Sequence, residues 1–89
     1  MATEASNKRL IRAEKVGRGM FSSERSVRIN AGGQVYNLIV DEEDVRPGDL
    51  LEVTLVGEQN GVALVDLPRE SFTSGTRIEV PTSALLPAT

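Results

Sequence analysis

Apolar and polar residues alternate with a period of two along most of this chain, a pattern typical of β-strands that bury one face. The alternation is clearest over residues 50–56, where Leu51, Val53 and Leu55 fall on the same face. Similar runs predict further strands over residues 26–29, 34–40, 62–67 and 76–80. The run 62–67 is almost continuously apolar, which indicates a strand that is covered on both faces.

Glycine-containing turns separate these runs and pair them into hairpins. Asn60-Gly61 is the strongest hairpin signal, because both residues accept the positive φ of a type I′ turn. The segment Asn30-Ala31-Gly32-Gly33 predicts a second turn, between the runs 26–29 and 34–40. Residues 41–49 form a connection with a tight turn at Pro47-Gly48, and residues 68–75 are predicted to be a loop.

The two ends of the chain carry weaker patterns. Residues 1–7 are small and polar, which predicts a disordered tail. Residues 8–16 fit a strand or a short helix, and we favour the strand because the downstream pattern is β. Near the C-terminus, residues 82–86 (TSALL) follow a proline and predict one tight helical turn. Residues 8–89 are therefore expected to form a single domain.

Several short strands with regular turn signals predict an all-β fold, namely a small, mainly antiparallel barrel of five or six strands. Over residues 41–87 the order is an acidic run, a Pro-Gly-Asp turn, a strand, the Asn-Gly hairpin, two further strands and the ending VPTSAL. This order resembles an SH3-like barrel, with its acidic loop, its diverging turn and its final Pro-Ser-type turn. The resemblance implies the barrel fold.

The ligand of that family is not implied. Peptide-binding SH3 domains dock proline-rich segments in an aromatic-lined groove, but the strand positions where they have tryptophan hold Val62 and Ala63 here. The ending VPTSAL also lacks the tyrosine of the family's closing turn. Only the acidic loop, which contacts basic ligand residues in that family, has a counterpart in this chain.

Composition removes the commonest catalytic chemistry. The chain has no cysteine and no histidine, so we expect no disulfide, no catalytic residue, no cofactor and no metal site. The serines have no recognisable activating base, and no glycine-rich loop matches a phosphate-binding spacing. We therefore expect a protein that is not an enzyme and that has no small-molecule substrate.

The same composition bears on location. No apolar run reaches the roughly 20 residues of a membrane span, and the N-terminal residues contain no hydrophobic stretch of the kind that a secretory signal has. We expect no membrane partner and a cytoplasmic protein, to which the absence of cysteine is suited.

Charge is unevenly distributed along the chain. Residues 1–30 carry seven basic and three acidic residues, a net charge of +4, whereas residues 31–89 carry three basic and ten acidic residues, a net charge of −7. Four consecutive acids, Asp41, Glu42, Glu43 and Asp44, begin the connection before Pro47. They are either the solvated flank of a turn or a docking patch for a basic partner. A cation site is not expected, because the side chains of adjacent residues point in different directions and do not converge.

The few large apolar side chains outside the strands are candidate anchors. Met20 and Phe21 follow Gly19, and Phe72 lies in the predicted loop 68–75. If these side chains are exposed on one side of the fold, they would form an interface. If they fold back, they would cap the barrel. We expect at least one of the two phenylalanines to be buried.

These observations favour a non-catalytic protein–protein interaction module, a small accessory or adaptor subunit that docks on a larger assembly or on itself. Apolar anchors would supply most of the interface energy, and the acidic run would supply polar edge contacts. The alternative is a nucleic-acid-associated barrel that binds the phosphate backbone through basic residues, namely Arg12, Lys15, Arg18, Arg25 and Arg28. A structural subunit that assembles a ring of barrels is a third hypothesis.

Overall fold

The computed structural model describes residues 7–88, and in this part of the chain the fold is all-β, as predicted. Two 3-10 turns, Glu42–Asp44 and Thr82–Ala84, are its only helical segments. The second confirms the turn predicted after Pro81. The nine strands are β1 (Lys8–Arg12), β2 (Lys15–Arg18), β3 (Glu24–Ala31), β4 (Gln34–Asp41), β5 (Val45–Arg46), β6 (Leu50–Gln59), β7 (Val62–Ser71), β8 (Gly75–Pro81) and β9 (Leu85–Pro87).

All strand pairs are antiparallel, and they form one curled sheet that makes a half-barrel. Seven strands follow the order β2-β3-β4-β7-β6-β1-β9, while β5 pairs with β6 and β8 pairs with β7. At the end of this order β1 pairs with β9, and Leu10 lies opposite Leu86. The first and last strands of the described chain are therefore neighbours. The predicted tail of residues 1–7 lies outside the described residues except for Asn7, whose carbonyl accepts a hydrogen bond from the Leu55 N–H at 2.7 Å.

The sheet has more strands than the five or six predicted. Residues 8–16 are not one strand, because the chain changes partners at Ala13 and Glu14. The Ala13 N–H donates to the Asp49 carbonyl and the Glu14 N–H donates to the Arg28 carbonyl, each at 2.8 Å. This break separates β1, which pairs with β6, from β2, which pairs with β3.

The predicted loop at residues 68–75 is also shorter in the structure. Residues 68–71 extend β7, since Ser71 pairs with Gly75 of β8 and with Leu38 of β4. The pairing of β7 with β8 is irregular between Asp66 and Ser71. Sequence patterning misses this extension because a proline and charged residues interrupt the apolar period.

The glycine turns form the predicted hairpins. Gly32 and Gly33 have φ of 61° and 80°, and Asn60 and Gly61 have φ of 55° and 80°. Positive φ at both central residues is the geometry of a type I′ turn, which matches the twist of the flanking strands. The first turn is tighter than the four residues predicted, because Asn30 and Ala31 remain paired in β3.

Apart from Tyr36 the core is aliphatic, and it lies on the concave side of the sheet. Its least exposed side chains are Ile11, Ile29, Leu38, Val40, Leu51, Val53, Val65 and Val80. In β7, Ala63, Val65 and Leu67 are buried, whereas Val62 is 44% exposed. The prediction that this strand is covered on both faces is therefore wrong: β6 and β8 flank its two edges, but only one of its faces meets the core.

Candidate functional site

Two of the three most exposed large apolar side chains lie in the loop between β2 and β3. Met20 is 84% exposed and Phe21 is 65% exposed. Backbone bonds hold the loop closed: the Gly19 N–H donates to the Glu24 carbonyl at 3.2 Å, and the Glu24 N–H donates to the Phe21 carbonyl at 2.9 Å. The Phe21 N–H also donates to a carboxylate oxygen of Glu24 at 3.2 Å. The two side chains are thus presented by an ordered hairpin end.

The acidic run lies beside this hairpin end. Its 3-10 turn follows β4 directly, and the Glu42 N–H donates to the Ser23 carbonyl at 2.8 Å. The register of β3 with β4 places Glu24, at the end of the loop, directly opposite Asp41, the first residue of the acidic run. The structure therefore brings the acidic run and the Met20-Phe21 pair together at one end of the sheet, although twenty residues separate them in sequence.

Two of the four acids are neutralised locally. Asp41 is 3.0 Å from Nη2 of Arg69, and Glu42 is 2.9 Å from Nη2 of Arg25. Within residues 7–88, Glu43 and Asp44 form no ion pair. Burial, reinforced by the nearby Asp41 charge, raises the pKa of Asp44. The negative charge available to a partner is therefore concentrated on Glu43 and Asp44.

Phe72 occupies a different surface. It is 69% exposed, and its N–H donates to the Asn37 carbonyl at 2.9 Å. It borders a cavity of about 250 Å³ together with Lys15, Ser26 and Arg28. Met20 and Phe21 border another pocket, of about 780 Å³, and the two linings share no residue.

The prediction that at least one phenylalanine is buried is wrong. Phe21 lies in a hairpin loop that projects beyond the core, and Phe72 lies in the short turn between β7 and β8. The aliphatic side chains of the strands already fill the concave side. The two rings are consequently left on two separate surfaces and do not form a single interface.

The five predicted phosphate-binding cations do not form one patch. In the pairing of β2 with β3, Lys15 lies opposite Arg28 and Arg18 lies opposite Arg25. Because side chains alternate along a strand, the first pair lies on the outer face and the second pair on the concave face. Arg12, on β1, borders a third pocket with Glu14 and Asn30.

Sequence reasoning missed Asn37 as a neighbour of these cations. Its side chain lies next to Arg28, whose Nε donates to the Asn37 carbonyl oxygen Oδ1 at 3.2 Å. The signal was in the sequence: a two-residue turn at Gly32-Gly33 places Asn37 directly opposite Arg28. Narrowing the predicted turn from four residues to two would have identified this contact.

Other charged groups on the outer face are engaged in pairs. Arg77 donates two hydrogen bonds to the Asp66 carboxylate, at 2.8 and 3.0 Å, and these bonds lower the pKa of Asp66. Glu52 is paired with Arg46 and lies 3.9 Å from the Lys8 ammonium. Within residues 7–88, no three acidic side chains converge as metal ligands.

Neither helical turn in residues 7–88 approaches the length and apolarity needed to cross a bilayer. Comparisons of the chain with protein families, curated proteins and solved structures give no match.

Proposed function

We propose that this protein is a non-catalytic protein-binding module with an SH3-like barrel, a small accessory or adaptor subunit. Its docking surface is the hairpin-end surface, defined as Met20, Phe21 and the acidic turn Glu42–Asp44. The observation that carries the proposal is the 2.8 Å hydrogen bond from the Glu42 N–H to the Ser23 carbonyl. It ties Ser23, two residues after the exposed Phe21, to the first residue of the acidic 3-10 turn.

The SH3-like element of the proposal rests on the order of elements. An acidic turn, the β6–β7 hairpin and the closing 3-10 turn Thr82–Ala84 occur in the order on which the resemblance was based. The ligand of this module differs from that of peptide-binding SH3 domains. Ala63 is fully buried and Val62 is an exposed aliphatic residue, so neither offers the ring against which proline segments pack.

The chemistry of the hairpin-end surface indicates the chemistry of its partner. Buried apolar and aromatic anchors carry most of the energy of protein interfaces, and charges at the rim mainly set association rate and specificity. Met20 and Phe21 would therefore insert into an apolar pocket. Because Glu43 and Asp44 are the acids of the run that form no ion pair within residues 7–88, the rim of that pocket would carry lysine or arginine.

Affinity capture from a native lysate, followed by measurement of Kd with the captured protein, tests this function. The double variant Met20→Ala/Phe21→Ala should weaken binding at least about 30-fold, as expected for hot-spot anchors worth roughly 2 kcal/mol or more. The double variant Glu43→Ser/Asp44→Ser should mainly slow association and reduce its salt dependence. It leaves Asp41 and Glu42, and hence their ion pairs, intact.

A matched control is Val35→Ala/Val62→Ala, which removes two half-exposed apolar side chains elsewhere on the surface. Its Kd should equal that of the wild type. If capture persists unchanged in Met20→Ala/Phe21→Ala, the hairpin-end surface is not the docking site. Sedimentation velocity of the same variants distinguishes a second copy of the chain as the partner, since self-association would then be lost with Met20 and Phe21.

A further inference from the structure

The outer face of the sheet carries a row of four side chains with a different chemistry. Lys15 on β2 lies opposite Arg28 on β3, and Arg28 lies opposite Asn37 on β4. The Phe72 N–H at the end of β7 donates to the Asn37 carbonyl, which places Phe72 next in line. We call these four residues the outer row. Lys15, Arg28 and Asn37 lie on neighbouring strands about 4.8 Å apart, and Phe72 directly follows the next strand, so the row extends over roughly 14 Å.

The two cations of the outer row face each other without an acid between them. Like charges directly opposite on neighbouring strands destabilise a sheet. Arg28 approaches Glu14 only to 3.8 Å, and both side chains are about half exposed, so this ion pair contributes little. Within residues 7–88, Lys15 has no ion-pair partner. An anionic group placed between Lys15 and Arg28 would relieve the repulsion between the two cations. A phosphate carries the charge that complements this pair.

The other half of the outer row suits a base. The Phe72 ring is 69% exposed and borders a cavity of about 250 Å³ that also contacts Lys15, Arg28 and Asn37. Exposed aromatic rings beside cations are the stacking platforms of single-strand binding proteins. The Asn37 Oδ1 is engaged by Arg28, which leaves the amide N–H groups free to donate to a base edge.

The acids of the same face restrict the direction of such a ligand. Glu24 and Asp41 lie opposite each other four residues further along β3 and β4. A phosphate chain running along these strands towards Glu24 and Asp41 would meet two carboxylates, whereas one that crosses the strands meets the outer row with only Glu14 beside it. The ligand would therefore run perpendicular to the strands, from Lys15 towards Phe72.

We propose that the outer row is a binding site for single-stranded nucleic acid, with phosphate at Lys15 and Arg28 and a base stacked on Phe72. The site differs from the basic patch predicted from sequence, because it excludes Arg12, Arg18 and Arg25 and includes Asn37 and Phe72. It shares no residue with the hairpin-end surface, so its success or failure is independent of the proposed protein docking.

Fluorescence anisotropy with a labelled oligothymidylate, titrated at low salt, tests the site. Two phosphate contacts on a single strand give a slope of about −1.4 in log K against log salt concentration. Phe72→Ala should weaken binding at least about fivefold, the lower limit of one stacked base. Lys15→Gln should reduce the slope by about 0.7, and Glu14→Gln should strengthen binding because it releases Arg28.

Matched controls lie in the same hairpin. Arg18→Gln removes the same charge from the opposite face of β2, and Phe21→Ala removes an equally exposed ring outside the row. Both should bind the oligonucleotide like the wild type. Phe72 is largely exposed, so its variant should keep the unfolding midpoint of the wild type and report on binding alone.

Three results would overturn the proposal. The first is no binding at low salt. The second is equal weakening by Arg18→Gln and Lys15→Gln, which would show attraction by net charge without a site. The third is displacement of the oligonucleotide by polyglutamate with no effect of Phe72→Ala, which would identify the row as a surface for an acidic protein.

Discussion

Gly19 and Glu24 approach each other across the base of the β2–β3 loop more closely than any other residue type at position 19 permits. A Cβ added to Gly19 would lie 2.5 Å from the Glu24 Cβ and 2.8 Å from its carbonyl carbon. One of these neighbours is backbone, so the contact cannot be relieved by a side-chain rotation alone. The close approach keeps Met20 and Phe21 at a tight hairpin end.

Gly19→Ala should therefore destabilise the protein by about 1–3 kcal/mol, the usual cost of overpacking. Urea denaturation monitored by circular dichroism measures the change. Because the strain would displace the loop, the variant should also lose partner capture although Met20 and Phe21 are still present.

The control for this variant is Gly57→Ala, since an added Cβ at Gly57 meets no atom within 4 Å. Its free energy of unfolding should be equal to that of the wild type or higher by up to about 1 kcal/mol, because alanine restricts the unfolded chain. If both alanine variants have the same urea midpoint, Gly19 is not sterically required.

The burial contrast within β7 gives a second prediction. Val65 is fully buried and Val62 is 44% exposed, in the same strand. Val65→Ala removes two buried methyl groups and leaves a cavity, so it should reduce the free energy of unfolding by roughly 2–3 kcal/mol. Val62→Ala should change it by less than about 0.5 kcal/mol. Equal effects would show that both faces of β7 are covered after all.

Ser71 supports a third prediction. It is 6% exposed, its hydroxyl accepts from the Ser74 N–H at 3.0 Å, and it donates to the Gly75 carbonyl at 2.9 Å. Ser71→Ala leaves both backbone groups without this partner and should cost about 1–3 kcal/mol. Thr73→Ala, in the same turn, removes an exposed hydroxyl with only a 3.4 Å contact to Ser74 and should be near neutral. Thermal unfolding of the two variants at one pH measures the difference. Equal midpoints for Ser71→Ala and Thr73→Ala would contradict the role of the Ser71 hydroxyl.

A fourth prediction concerns acid. The hydrogen bonds from Arg77 lower the pKa of Asp66 below its ordinary value of 3.8. A lowered pKa in the folded state means that the carboxylate stabilises the fold above the ordinary value, and that this contribution is lost as the pH falls through the folded pKa. Asp66→Asn should therefore flatten the decline of stability in acid, measured by urea denaturation at a series of pH values.

Asp44 provides a control of opposite sign. Burial and the charge of Asp41 raise its pKa above 3.8, so its ionised form is disfavoured in the folded protein. Asp44→Asn should stabilise the protein at neutral pH, and the gain should disappear below the ordinary pKa, where the wild-type carboxyl is protonated in both states. The same slope for both asparagine variants would show that neither environment perturbs its carboxyl group as described.

The hairpins were predictable because their turns are local. Gly32-Gly33 and Asn60-Gly61 combine positive φ with alternating strands on both sides, so the chemistry of two residues determines each turn. The change of partners at Ala13 and Glu14 was not predictable in the same way. It depends on carbonyls of Asp49 and Arg28, which are distant in sequence, and no local pattern encodes them.

The candidate surfaces also combine features set by local sequence with features set by the whole fold. The register Arg28–Asn37 follows from a two-residue turn, so half of the outer row could be read from the sequence. The exposure of Phe21 and Phe72 could not, because a ring next to a glycine-rich turn either folds over the core or projects from it. The choice depends on whether the aliphatic residues of the strands leave space, which is a property of the whole sheet.

The pairing of β1 with β9 has a mechanical consequence. Arg9 lies opposite Pro87, and within residues 7–88 β9 pairs with no strand other than β1. Tension applied to the two ends of residues 7–88 would therefore load these hydrogen bonds one after another, as in a zipper, and would not shear them together. The β9 strand should peel away at low force, while the β6–β7 and β7–β8 ladders beneath it stay folded.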